Sequence, residues 1–218
     1  MWNEELVKKA ARYKLMVNIH DAYRPTGFSR TYPNLMTQEG IHGNEQNPDA
    51  THSATLPFVR FTIGAADFTP GYFKTALKTT WAHKLSLPVI FYSPVQFLFW
   101  VERLEEIEPR PELALWKNIP TTWDDTKVLS GEIGEHVIVA RRKGVNWYVG
   151  GITNNNPREL NLKFNFLKEG KKYDATIYTD STEGNKVLIE TKKGIISKSE
   201  FTFSLLPSGG FVVHLVER

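Results

Sequence analysis

A chain of 218 residues with 41% hydrophobic and 12% aromatic content can bury one large core or two ordinary ones, which excludes wholesale disorder. Its formal charge is only +3, with Lys and Arg interspersed among Asp and Glu, so there is no clustered basic footprint for nucleic acid. Without cysteine there are no disulfides and no thiolate metal sites, and any metal must be held by oxygen or imidazole.

The first residues, Met1 to Lys9, mix acid with base and lack a long apolar stretch, so they do not read as a signal peptide. Residues 2 to 12 read as a helix with Leu6, Ala10 and Ala11 on one face. Leu15 to Ile19 is a short apolar run of the buried parallel-strand type, and His20 and Asp21 stand where it ends. Asn34 to Thr37 is a second such run, with Glu39 just beyond it. Phe58 to Ile63 reads as a third, ending near Gly64-Ala65-Ala66-Asp67. Thr75 to His83 reads as a helix continuing towards Pro88, and Pro94 to Leu104 as another. No apolar run reaches the 18 residues of a membrane span, and no membrane partner is expected.

Short apolar runs alternating with helices, with polar residues gathered after the strands, predict a parallel α/β domain whose chemistry lies at the strands' carboxyl ends. A complete eight-stranded barrel needs about 250 residues, so residues 1–118 hold at most half of one. From residue 119 the pattern changes. Strands are expected near 128–132, 136–142, 146–152, 159–165, 173–179, 186–191, 199–205 and 211–216, separated by Gly- and Asn-rich turns. Leu160, Leu162 and Phe164 alternate with Asn161, Lys163 and Asn165, as an antiparallel sandwich requires. The basic runs Arg141-Arg142-Lys143 and Lys192-Lys193 lead into Gly144 and Gly194 and read as turn residues. The fold class is thus α/β plus all-β: a C-terminal half of a (β/α)8 barrel over 1–118, followed by an antiparallel β-sandwich over 119–218.

The stretch from His20 to Glu45 resembles glycoside hydrolase family 97, a family of bacterial α-glucosidases and α-galactosidases. The resemblance continues through Thr55-Leu56-Pro57-Phe58, Asp67-Phe68-Thr69-Pro70-Gly71, Pro120-Thr121-Thr122-Trp123-Asp124, Gly131-Glu132-Ile133-Gly134 and Trp147-Tyr148-Val149-Gly150-Gly151. It implies an architecture of N-terminal sandwich, barrel and C-terminal sandwich, of which this chain resembles the last barrel strands and the terminal sandwich. The expected partner is then the missing N-terminal half of the enzyme or a second copy, because half a barrel leaves open strand edges. Relatives are generally exported, so a periplasmic or secreted location is implied.

The resemblance places Glu45 at the family's proton donor, where a carboxylic acid stands beside the glycosidic oxygen. Glu39 matches a calcium-ligand glutamate, and Glu45 reaches the same ion, the cofactor being calcium. Pairing of Glu39 to Arg24 or Arg30 is the ordinary alternative. Asp21 falls where inverting members carry a glutamate base; the shorter aspartate looks like the retaining branch, whose nucleophile lies on an earlier strand. Asp21 could equally orient His20 or cap a helix. His20 and Arg24 are candidate contacts to sugar hydroxyls, or else ordinary strand-end and loop residues. His52 and His83 read as structural, and Trp123 as an anchor of the seam between the two parts.

The implied function is part of a calcium-dependent, exo-acting α-glycoside hydrolase, retaining and α-galactosidase-like, acting on an α-linked oligosaccharide or glycoside. The alternatives are a non-catalytic carbohydrate-binding or interaction fragment, and an inverting α-glucosidase.

Overall fold

The computed structural model describes residues 2–20, 24–71, 77–98, 103, 105, 110–182 and 186–218. Helix α1, Trp2–Arg12, carries Glu4 and Glu5 in its first turn and Lys9 and Arg12 in its last, the charge order that complements the helix dipole. The chain then enters strand β1, Val17–Ile19, and after a one-turn helix α2, Phe28–Thr31, strand β2, Leu35–Gln38. The two strands pair in parallel, with Val17 opposite Leu35 and Ile19 opposite Gln38.

Phe58 to Ile63 is not a strand. Helix α3, Ala50–Val59, is capped by Asp49, whose Oδ1 accepts the His52 amide at 3.0 Å, and it runs through Pro57 to the capping residue Arg60. An apolar run this short is ambiguous between a strand and a buried helix end. Here Leu56, Phe58 and Phe61 pack around Phe68, Leu87 and Phe91, and that burial sets the outcome. The third parallel strand end is instead Ala66, which bridges Gln38.

Helix α4, Trp81–Ile90, starts later than the sequence suggested, because Thr80 caps it by accepting the His83 amide at 3.1 Å. It passes through Pro88 and ends at Ile90. The helix expected over 94–104 is absent from residues 94–98, which are irregular; most of the remainder lies outside the described residues. A short helix α5, Ala114–Asn118, leads to the sandwich.

All eight expected sandwich strands are present: β3 (Asp125–Glu132), β4 (His136–Lys143), β5 (Asn146–Thr153), β6 (Arg158–Lys163), β7 (Tyr173–Asp180), β8 (Val187–Ile195), β9 (Glu200–Leu205) and β10 (Gly210–Glu217). Six form an antiparallel sheet ordered β3-β4-β5-β10-β7-β8, and β6 and β9 form a second, two-stranded sheet. Between the sheets lie Ile138, Val149, Leu160, Leu162, Phe164, Phe203, Phe211 and Val213. The middle strands of the large sheet are also buried on their outer face. There Val137, Val139 and Ile152 meet Leu87 and Ile90 of α4, while Tyr148 and Val212 meet Leu85, Val89 and Leu115. Trp123 packs edge-on against Tyr148 with ring centroids 5.4 Å apart, within this second core.

Two sequence readings of basic residues are corrected by this packing. Arg141 lies within β4 and is buried. Its Nε donates to the Val89 carbonyl at 2.6 Å and its Nη2 to that of Ile90 at 3.0 Å, so it caps the C-terminus of α4 from the sheet. Burial pulls its pKa down to about 10, which leaves it charged. Lys192 and Lys193 likewise belong to β8, which continues to Ile195 through Gly194 at φ 74°. The close approach of α4 to the sheet needs Gly150, where a Cβ would stand 3.0 Å from Val89 Cβ and 3.1 Å from the Ser86 carbonyl.

Candidate active site

Three parallel strand ends point the same way, and each is followed at once by an ionisable residue. His20 follows β1, Glu39 follows β2, and Asp67 follows the Ala66 bridge. The Glu39 amide donates to the Ile19 carbonyl at 2.9 Å and the Asp67 amide to the Gln38 carbonyl at 3.3 Å, which continues the ladder to its tips. Side chains at such tips face the crevice beyond the carboxyl edge of the sheet.

Glu45 arrives from another direction, on a turn of 3-10 helix, Asn44–Gln46. The turn is held from below: the Asn44 amide donates to the Phe68 carbonyl at 2.9 Å, and the buried Lys84 Nζ donates to Asn44 Oδ1 at 2.6 Å. Gly43 lets the turn close, since a Cβ there would meet Glu39 Oε1 and the Phe68 carbonyl at 3.3 Å.

These elements bring His20, Glu39 and Glu45 together, with ligand atoms all within 4.8 Å of one another. His20 Nε2 lies 3.1 Å from Glu45 Oε1 and 3.7 Å from Glu39 Oε2. On the other side of the ring, Nδ1 lies 3.6 Å from Asp67 Oδ2. Side-chain exposure is graded, from 1% for Asp67 and 6% for Glu39 to 38% for Glu45 and 43% for His20. Asp67 is fixed by Asn18 Nδ2 at 2.8 Å and by the Thr69 amide at 3.2 Å. Partial burial pushes the His20 pKa down, but the Glu45 hydrogen bond and the charges of Glu39, Asp67 and Glu45 outweigh it and hold it above the usual value.

Two carboxylates and an imidazole around one point could hold a divalent cation. Donors on opposite sides of an ion bound at about 2.3–2.6 Å are roughly 5 Å apart, which the 4.8 Å spread accommodates. A cation would also compensate the carboxylate charge that His20 now faces.

Of the sequence candidates, His20, Glu39 and Glu45 therefore converge. Arg24 is exposed on the loop beyond β1, and Asp21 lies outside the described residues. Asp67 was missed as a site residue. Its signal was an aspartate directly after Gly64-Ala65-Ala66, near the expected end of the third run, in the same place relative to a strand as His20 and Glu39. Lys84 and Arg60 carry no local signal. Lys84 reads as a polar residue in a helical stretch and Arg60 as a polar residue within the apolar run 58–63, yet both are buried and bonded to the site loops.

Two family models match the chain: residues 1–41 match "Glycoside hydrolase 97", and residues 122–216 match "Glycosyl-hydrolase 97 C-terminal, oligomerisation". Over 98% of its length the chain is 32% identical to the "Retaining alpha-galactosidase" of Bacteroides thetaiotaomicron, covering 36% of that protein. Among solved structures it is similar to a Glycoside Hydrolase Family 97 enzyme from Pseudoalteromonas sp. strain K8 in complex with acarbose. That match has a TM-score of 0.89 at 30% identity and covers 97% of this chain and 36% of the other. A beta-arabinopyranosidase gives a TM-score of 0.83 at 25% identity, again over 97% of this chain and 36% of the other. The chain thus spans about a third of the length of these relatives.

Proposed function

Because the chain belongs to glycoside hydrolase family 97, we propose that it is the part of a calcium-dependent, exo-acting α-glycoside hydrolase that carries the acid–base residue and cation ligands. The single observation that carries this reading is the convergence of His20 and Glu39, at parallel strand ends, with Glu45 on the neighbouring 3-10 turn.

In this reading Glu45 is the general acid. Its Oε1 faces His20 while 38% of the side chain stays exposed, so it can reach a glycosidic oxygen. Glu45 gives its proton to the departing oxygen as the anomeric carbon is attacked. As a carboxylate it then takes a proton from the water that releases the sugar. Glu39 has only 6% of its side chain exposed, which suits a ligand and not a nucleophile. The nucleophile of the retaining mechanism would be an aspartate outside this chain, on an earlier barrel strand. The name of the Bacteroides relative favours retention and an α-galactoside substrate.

Calcium would be held by Glu39 and Glu45, with His20 beside them, and when bound it would supply positive charge close to the reacting oxygen. Calcium takes six to eight oxygen ligands, so water, substrate and segments outside this chain would complete the sphere. His20 and Arg24 would contact sugar hydroxyls. In this proposal β1, β2 and the Ala66 bridge are the last strands of the barrel, and the sandwich is a surface for self-association. The family model matching 122–216 favours that last assignment through its description as an oligomerisation region. The inverting alternative would make Asp21 the base. The enzyme as a whole would act in the periplasm or outside the cell.

The test is a calorimetric calcium titration of the chain with Glu39→Gln and Glu45→Gln variants. Hydrolysis of 4-nitrophenyl α-galactoside and α-glucoside follows, by the chain alone and by the chain rejoined to the rest of its enzyme. Each substitution should weaken calcium binding at least tenfold, and Glu45→Gln should abolish hydrolysis by the rejoined enzyme. Unchanged calcium affinity in both variants would overturn the cation assignment, and retained hydrolysis by Glu45→Gln would overturn the acid. Anomer-resolved product analysis showing first release of the inverted sugar would select Asp21 and defeat retention.

A further inference from the structure

Arg60 is the residue at which α3 ends, and its guanidinium turns away from solvent and under the strand ends. Nε donates to the Gly40 carbonyl at 3.1 Å, and Nη1 to that of Gly64 at 3.0 Å. Nη2 reaches the carbonyls of Gln38 at 3.2 Å, Glu39 at 3.1 Å and Ala65 at 3.2 Å. All five acceptors are backbone oxygens in two short segments. One is Gln38-Glu39-Gly40, which carries Glu39; the other is Gly64-Ala65, which leads through Ala66 to Asp67.

The two segments are joined by the Ala66 bridge and by the Asp67 amide, which donates to the same Gln38 carbonyl that Arg60 binds. A planar fork with five N–H donors fixes several acceptors in one geometry, whereas an ammonium group is a point donor on a flexible stem. Outer-shell hydrogen bonds of this kind decide where ligand side chains point.

We propose that Arg60 is a positioning residue for the cation cluster: it locks the Glu39 and Asp67 segments at a fixed separation, so that Glu39 and the His20 imidazole backed by Asp67 converge on one point. The proposal rests on the cation-site reading above. The competing account is that Arg60 only satisfies buried carbonyls and contributes to stability alone.

Arg60→Met removes the fork at similar length, and Arg60→Lys keeps the charge without the fork. In the wild-type chain and both variants, three quantities are read: calcium affinity by calorimetry, thermal midpoint, and hydrogen–deuterium exchange by segment. Arg60→Met should lose at least tenfold in calcium affinity, the scale of outer-shell substitutions. Exchange should rise at residues 38–41 and 64–68, while β5 and β10 stay as protected as in the wild type. Arg60→Lys should recover the thermal midpoint more than the affinity. Calcium affinity within twofold of wild type in Arg60→Met, beside a lowered midpoint, would overturn the positioning role. So would exchange that rises evenly over the molecule. If the wild-type chain binds no calcium but exchange still rises only in the two segments, the cation reading fails and the positioning role stands.

Discussion

The fully buried His83 makes stability depend on pH in a way that can be worked from the structure. Its Nδ1–H donates to the Gly209 carbonyl at 3.3 Å, and its Nε2 has no hydrogen-bond partner among the described residues. Burial, with the positive charge of Lys84 next to it, lowers its pKa to about 3, so the folded chain holds it neutral. The unfolded chain takes up the proton near the ordinary value of about 6.5. Between these values the unfolded state binds more protons. The stabilisation is therefore complete above pH 6.5 and is lost as pH falls towards 3. At about 1.36 kcal/mol per pH unit, the loss is about 2 kcal/mol by pH 5 and about 5 kcal/mol over the whole window. Against a typical total of about 5–15 kcal/mol, that is enough to bring acid unfolding into the window. The assay is urea denaturation followed by tryptophan fluorescence at pH 8, 7, 6 and 5, for the wild type and His83→Asn. Asparagine keeps a donor near the Nδ1 position and cannot titrate. Burial lowers the pKa of His52, His136 and His214 as well, but they contribute equally to both proteins. The wild type should lose about 2 kcal/mol more than the variant between pH 8 and pH 5. Parallel stability curves would refute the reasoning.

Three further substitutions probe the contacts between the helices and the sheet. Gly210→Ala would set a Cβ 2.7 Å from His83 Cα and 2.9 Å from the Gly151 carbonyl, so it should cost about 1–3 kcal/mol, read as a lowered thermal midpoint. Arg141→Met leaves the buried carbonyls of Val89 and Ile90 without their donor and should cost about 3 kcal/mol in urea denaturation; a change below about 1 kcal/mol would mean that the α4 terminus finds other partners. Asp49→Ala removes the α3 cap and should cost about 1 kcal/mol, with early loss of amide protection at residues 50–53 as the accompanying sign.

The sandwich was legible because its signals are local. Alternation such as Leu160-Asn161-Leu162-Lys163 fixes which face is buried, and a turn glycine or asparagine separates most strands. The role of Arg141 was not legible. It follows a strand's apolar run, and nothing in the pattern says that a helix end lies over that face. His20 and Glu39 could be found because each directly follows an apolar run that became a strand. Glu45 sits on an aperiodic turn, and its expected role as the acid came only from the family resemblance. The error at 58–63 arose where tertiary packing decided between helix and strand; Asp67 stood near the expected end of that run but was not read as a site residue.

The sandwich also has a structural role in the site, exercised through α4. Thr80 Oγ1 donates to Asp180 Oδ1 at 2.6 Å, Ser86 Oγ donates to the Phe211 carbonyl at 2.8 Å, and Arg141 holds the helix's last carbonyls. Between these ties, Lys84 leaves the same helix in the opposite direction and ends on Asn44, one residue before Glu45. A buried ammonium is costly unless its donors are met, so the turn cannot drift from the helix without exposing that cost. The position of Glu45 is thereby referred to a ten-residue helix that is itself fixed to the large sheet. Arg60 fixes Glu39 by a separate route, from α3. The two glutamates are thus held from below by different cations on different helices. Their convergence depends on α3 and α4 keeping their places against the Val137, Val139 and Ile152 face, so the sandwich is part of what shapes the cluster.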